Sequence, residues 1–98
     1  MLVLAAKFVA KAEHVSEIIQ MCNTVTVPSR KEAGCISYNF YQHPGSSEFI
    51  FFEEWESQAI LDAHFKTPHF NAFIAPLAGM LDGRPSMRVY VVSGSKEL

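Results

Sequence analysis

The segment CISYNFYQHPGSSEFIFFEEWE, residues 35–56, decides the fold. Its first half alternates, with Ile36, Tyr38 and Phe40 on one side of an extended chain and Cys35, Ser37, Asn39 and Tyr41 on the other. Pro44-Gly45, inside the HPGSS of residues 43–47, marks a turn. Alternation then resumes over 48–56: Phe49, Phe51, Glu53 and Trp55 share one face, while Ile50, Phe52, Glu54 and Glu56 share the other. The segment reads as a β-hairpin. Its second strand is apolar on both faces in its first half, which an antiparallel strand with one side in water does not require.

Working outward, the preceding stretch changes period. Val15, Ile18, Ile19 and Cys22, continued by Val25 or Thr26, fall at helical spacing from Glu13 onward. Pro28 lacks a backbone donor, so the helix is expected to kink or end near it, and Gly34 closes the segment. Leu2 to Val9 is a first strand. Beyond the hairpin, Ser57 suits an N-cap for a helix with the stripe Ile60, Leu61, His64 and Phe65. Thr67-Pro68 breaks it and starts another helix, with Phe70, Phe73, Ile74 and Leu77 as its stripe. Gly79 to Pro85 is a loop, and Met87 to Ser93 a last strand. The order β-α-β-β-α-α-β is an α+β, ferredoxin-like arrangement over a single domain, residues 1–98.

Helices on one side of such a sheet leave its other side bare, and the strands 2–9 and 48–56 are too apolar for that. Face-to-face burial against a second copy is the expected solution, a homodimer. Composition agrees: eight Phe, three Tyr and one Trp in 98 residues are more apolar surface than one small protomer hides, which calls for a partner copy or an apolar ligand. Eight basic against ten acidic residues, a net charge of −2, exclude a nucleic-acid-binding surface. A hydrophobic content of 49% with 18% charged residues excludes intrinsic disorder. No stretch reaches the ~18 apolar residues of a membrane span. The N-terminal run has no signal-peptide character, and Cys22 and Cys35 read as buried thiols, so a cytoplasmic location is expected.

Motifs for common chemistries are missing. His64 and His69 are five residues apart across Pro68, not at the i, i+4 spacing of a helical metal pair, and no carboxylate sits at a matching offset on the same helix. No metal and no cofactor are therefore expected. Neither a glycine-rich phosphate loop nor a nucleophile elbow occurs. What remains is an aromatic cavity with a few imidazoles, phenols and carboxylates, suited to a flat apolar ligand.

The stretch 30–73 resembles the antibiotic biosynthesis monooxygenase family and is most similar to its small bacterial quinol monooxygenases. The residues that carry the resemblance are PSRKEAGC at 28–35, Tyr38, the E-x-W of Glu53 to Trp55, and HFKTPHF from His64 to Phe70. It implies a dimeric α+β barrel with a pocket between sheet and helices in each protomer. It also implies oxygenation of a hydroxylated aromatic by O2 without metal or flavin. Where haem-degrading relatives place an Asn, a Trp and a His ligand, this chain has Lys7, His64 and Ile74, which removes that branch.

Under this resemblance His64, on the inward stripe of its helix, is the first candidate for proton abstraction, and His69 the second. Tyr38 and Trp55 would stack on or hydrogen-bond a quinone-like substrate, with Phe51 and Phe73 as apolar walls. Glu53 would orient an imidazole or cap a loop amide. Arg88 on the last strand would hold an anionic group or form an ion pair. Two other functions fit the same residues: a dimeric small-molecule binding protein without turnover, and an isomerase of a small hydroxylated carbonyl compound, for which paired imidazoles also serve.

Overall fold

A computed structural model describes residues 1–98. The alternating segments become strands β1 (Leu2–Val9), β2 (Cys35–Gln42), β3 (Glu48–Trp55) and β4 (Ser86–Val91). They form one antiparallel sheet in the order β2-β3-β1-β4, the ferredoxin-like order, with the two most apolar strands in the middle. The helical-period segments become α1 (Val15–Arg30, entered through a 3-10 turn at Ala12–His14), α2 (Gln58–His64) and α3 (Pro68–Leu77). None of them is long and apolar enough to cross a membrane.

The core lies between the helices and one face of the sheet. Leu4 and Phe8 of β1, Phe49, Phe51 and Trp55 of β3, and Tyr38 of β2 meet Ile18, Cys22 and Val25 of α1, Leu61 of α2, and Phe73 and Leu77 of α3. Phe8 stacks on Phe49 with centroids 5.3 Å apart, as their direct cross-strand register requires. The opposite face has no helical cover. There Ala5 pairs with Phe52 and with Arg88, and Val3 with Tyr90, while Phe52, Tyr90 and Tyr41 stay 40%, 49% and 56% exposed.

One local expectation is borne out and one is corrected. α1 ends at Arg30, two residues beyond Pro28, as the missing backbone donor leads one to expect. Pro28 stands in its last turn. In the same region Thr26 Oγ1 donates to the Cys22 carbonyl and Ser29 Oγ to that of Val25, both at 2.7 Å, which satisfies two buried hydroxyls. Ile36 does not share the inner face with Tyr38 and Phe40. An irregularity at the start of β2 sets Cys35 opposite Trp55 and Ser37 opposite Glu54, which leaves Ile36 51% exposed.

Gly34, just before β2, has φ +83°, and a Cβ there would lie 2.7 Å from Ile60 Cγ2. Both its backbone conformation and the approach of α2 require glycine. Ser57 Oγ caps α2 by accepting from the Ile60 amide, and Thr67 Oγ1 caps α3 by accepting from that of Phe70.

Candidate functional site

Strand parity decides what faces the helices. Tyr38, Phe51, Glu53 and Trp55 all do, because Tyr38 pairs with Glu53 and Phe40 with Phe51 across β2 and β3. Over the neighbouring part of the sheet, α3 and the 78–85 segment stand away far enough to leave a cavity of about 270 Å3. Its walls include Leu4, Tyr38, Phe51, Phe70, Phe73 and Leu77, with Met87 and Arg84 near the β4 side and Glu53 among them. The volume lies just below the roughly 300–1,000 Å3 usual for small-molecule sites and suits a compact aromatic. Tyr38, Phe51 and Phe73 form a continuous aromatic surface, with centroids 5.4 Å and 5.6 Å apart in that order.

Glu53 is the one carboxylate in this apolar wall, and it is 4% exposed. Burial raises its pKa to about 7, Glu32 adds to the rise, and one hydrogen bond opposes it: the Trp55 indole donates from Nε1 to Oε1 at 3.0 Å. A carboxyl group poised near neutrality inside an apolar cavity can both take and return a proton. The Tyr38 phenol is pushed well above its ordinary value, chiefly by burial and then by Glu53, so it stays a neutral donor.

The two imidazoles assemble elsewhere. His64, 1% exposed, ends α2 and is boxed by Trp55 (centroids 4.6 Å), Phe70 (5.1 Å) and Tyr38 (5.4 Å). Thr67 folds the chain back, its Oγ1 donating to the His64 carbonyl at 2.8 Å, and α3 then presents His69 with its ring 6.0 Å from that of His64. Glu32 arrives from the α1–β2 connection. That connection is anchored by Arg30, whose Nε donates to the Tyr38 carbonyl at 3.0 Å. One oxygen of Glu32, Oε2, lies 2.7 Å from His64 Nδ1 and 2.6 Å from His69 Nε2. An ionised carboxylate only accepts, so with Glu32 ionised each contact is a hydrogen bond when the facing ring nitrogen carries the proton. Burial lowers the His64 pKa, although the hydrogen bond and charge of Glu32 work against the shift.

Of the residues expected at the site, Tyr38, Phe51, Glu53 and Phe73 line the cavity, together with Phe70. Trp55 is fully buried and donates its indole N–H to Glu53. Three expectations are corrected. His64 does not line the cavity, because Tyr38 and Phe70 pack against it, and His69 opens instead on a groove between α1 and α3. Arg88 pairs with Ala5 on the uncovered face of the sheet, since a strand turns alternate side chains to opposite sides; Arg84 is the arginine at the cavity. The imidazoles are bridged by Glu32, not Glu53. Sequence spacing missed Glu32 because the test for a partner was confined to the helix that bears the His.

The sequence profile of the antibiotic biosynthesis monooxygenase family matches residues 1–76. The Synechocystis protein sll1783 is 35% identical over 98 residues, covering 99% of this chain and 67% of that protein. Rv0793 of Mycobacterium tuberculosis is 29% identical over 76 residues, 78% of this chain and 75% of that one. The structure of Rv0793 superposes with a TM-score of 0.92 over 98% of both chains, at 24% identity. A crystal structure titled as an antibiotic biosynthesis monooxygenase superposes with a TM-score of 0.90 over 96% of this chain and all of that one, at 22% identity. With that profile spanning three of the four strands and nearly all of the helical layer, the chain belongs to the antibiotic biosynthesis monooxygenase family.

Proposed function

We propose that this protein is a cofactor-independent monooxygenase that oxidises a hydroxylated aromatic of quinol type with O2. The observation that carries the reading is Glu53, the one carboxyl group in a cavity lined mostly by aromatic and aliphatic side chains, with Lys7 and Arg84 as its two cations, its pKa raised by burial to about 7. Glu53 takes the proton of a ring hydroxyl. The resulting electron-rich anion passes an electron to O2, and the two radicals combine at a ring carbon. One oxygen atom stays there as a new carbonyl, and the other leaves as water. The hydrogen of that ring carbon and one hydroxyl hydrogen leave with it, so a dihydroxynaphthalene plus O2 gives a hydroxynaphthoquinone plus water, the substrate itself being the reductant. Tyr38 supplies a neutral hydrogen bond to the oxyanion, while Phe51, Phe70 and Phe73 hold the ring and keep water out. Proton abstraction thus falls to Glu53 in place of His64 or His69.

The reading includes a homodimer formed through the uncovered sheet face, where Ala5, Ile50, Phe52 and Tyr90 lie. Burying ~1,000 Å2 of apolar surface there would contribute on the order of 25 kcal/mol before the costs of association. Sedimentation is expected to give a dimer for the wild type and a monomer for Phe52→Asp.

The deciding experiment is oxygen uptake by chelator-treated protein given reduced naphthoquinols. Uptake above autoxidation is expected, and Glu53→Gln should lower it by about 100-fold or more with the fold intact by circular dichroism. No uptake by the wild type, or full uptake by Glu53→Gln, would overturn the assignment. Saturable binding without turnover would make the protein a binding module.

A further inference from the structure

We propose that Glu32, His64 and His69 form a binding site for one first-row divalent transition-metal ion, of the class represented by Zn2+. The inference is independent of the oxygenation reading, because none of the three residues lines the cavity.

Each residue offers one ligand atom of the right chemistry: a carboxylate oxygen, Nδ1 of His64 and Nε2 of His69. These atoms lie within 4.8 Å of one another, the one such trio of ligating side chains in the chain. Zinc–nitrogen and zinc–oxygen bonds of about 2.0–2.2 Å at tetrahedral angles place ligand atoms roughly 3.4 Å apart. The two oxygen–nitrogen separations, 2.6 and 2.7 Å, therefore open by less than 1 Å, and the nitrogens draw together. That is the range of small side-chain rotations, and His69 is free to make them at 23% side-chain exposure.

A metal binds the neutral imidazole, through the nitrogen lone pair that faces the ion. Moving each ring proton to the other nitrogen frees the lone pair that faces Glu32, with no change in charge. Glu32 supplies the negative charge that the ion requires.

Position within the fold also fits. Glu32 follows α1, His64 ends α2 and His69 sits in the first turn of α3, so one ion would tie three helical segments into a clamp on the sheet. The entrance is the groove between α1 and α3, where His69 stands with Glu17 and Gln20. Two imidazoles with one carboxylate suit Zn2+, Fe2+, Co2+ or Ni2+ over the all-oxygen preference of Mg2+ and Ca2+. Three protein ligands leave at least one coordination position for water.

The test titrates chelator-stripped protein with Zn2+ by calorimetry and with Co2+ by visible absorption. One ion per chain is expected, with the intense d–d bands of tetrahedral Co2+ and a rise in melting temperature with Zn2+ that Mg2+ does not reproduce. Glu32→Gln and His69→Ala should each weaken binding by more than the ~10–100-fold that loss of an outer-shell partner costs. If Glu32→Gln does not fold, His69→Ala at its partly exposed position decides alone. Absence of binding at millimolar Zn2+ would overturn the site. So would affinity unchanged in the variants, which would place the ion on a surface pair such as His14 and Glu17, 3.6 Å apart.

Discussion

Two carboxylates flank the same aromatic block, and they are built for different work. Glu53 is 4% exposed and has a single neutral hydrogen-bond donor, the Trp55 indole. Glu32 has 15% side-chain exposure and is met by two imidazoles at 2.6 and 2.7 Å. Residue type is identical, and the surroundings divide the roles. An apolar wall with one donor leaves the charge of Glu53 poorly compensated, so its proton is held until near neutrality. Two ring nitrogens converging on one oxygen instead make Glu32 the centre of a polar cluster. Tyr38 and Trp55 link the two surroundings: Tyr38 lines the cavity and meets the His64 ring, and Trp55 donates to Glu53 and packs tilted against the His64 ring.

The comparison breaks most visibly in the pH dependence of stability. The folded-state pKa of Glu53, about 7, lies above its ordinary value of 4.5. A raised pKa means that folding binds a proton, so the associated stability is fully present below pH 4.5 and is lost as pH rises through 7. Each pKa unit corresponds to about 1.4 kcal/mol, so urea unfolding should lose on the order of 3 kcal/mol across that window. Glu53→Gln should flatten this loss, and Glu32→Gln should leave most of it. A loss that survives in Glu53→Gln would show that another group is responsible.

A smaller effect addresses the other carboxylate. Gly34, two residues after Glu32, has a left-handed backbone and faces Ile60. Gly34→Ala should cost about 1–3 kcal/mol by chemical denaturation. It should also shift the His64 and His69 ring resonances, because the turn that delivers Glu32 must move. Unchanged resonances would detach the turn from the cluster. Trp55→Phe removes the indole donor that holds the Glu53 pKa down, so the Glu53 titration followed by carbon NMR should move to higher pH, by an amount equivalent to about 1 kcal/mol. A downward move would break the assignment of the hydrogen bond. The smallest effect is expected at Arg88, outside the cavity: Arg88→Ala should change monomer stability by no more than ~0.5 kcal/mol and oxygen uptake by about twofold at most. A large loss of uptake would return Arg88 to the substrate site.

The architecture was legible because it rests on local periodicities. Alternation over 48–56 places Phe49, Phe51, Glu53 and Trp55 on one face, and the structure keeps all four there. The helical stripe Ile18, Cys22 and Val25 is buried as its spacing requires. Ser57 and Thr67 cap the helices they precede. Reading failed where a second element decides the outcome. Ile36 lost its parity to an irregularity that exists only between two paired strands.

By itself, then, the sequence determined the order of strands and helices, the two-faced apolar character of the central strands and the part of the cavity wall made by Tyr38, Phe51, Glu53 and Phe73, because side-chain period is a property of a single segment and survives translation into space. Only the tertiary structure decided that Glu32, 32 and 37 positions from the two His, shares an oxygen with both, that His64 lies behind the cavity wall, and that Arg84 in place of Arg88 reaches the cavity. Such meetings depend on how separate elements cross, and a one-dimensional pattern carries no record of the distance between two faces until packing brings them together.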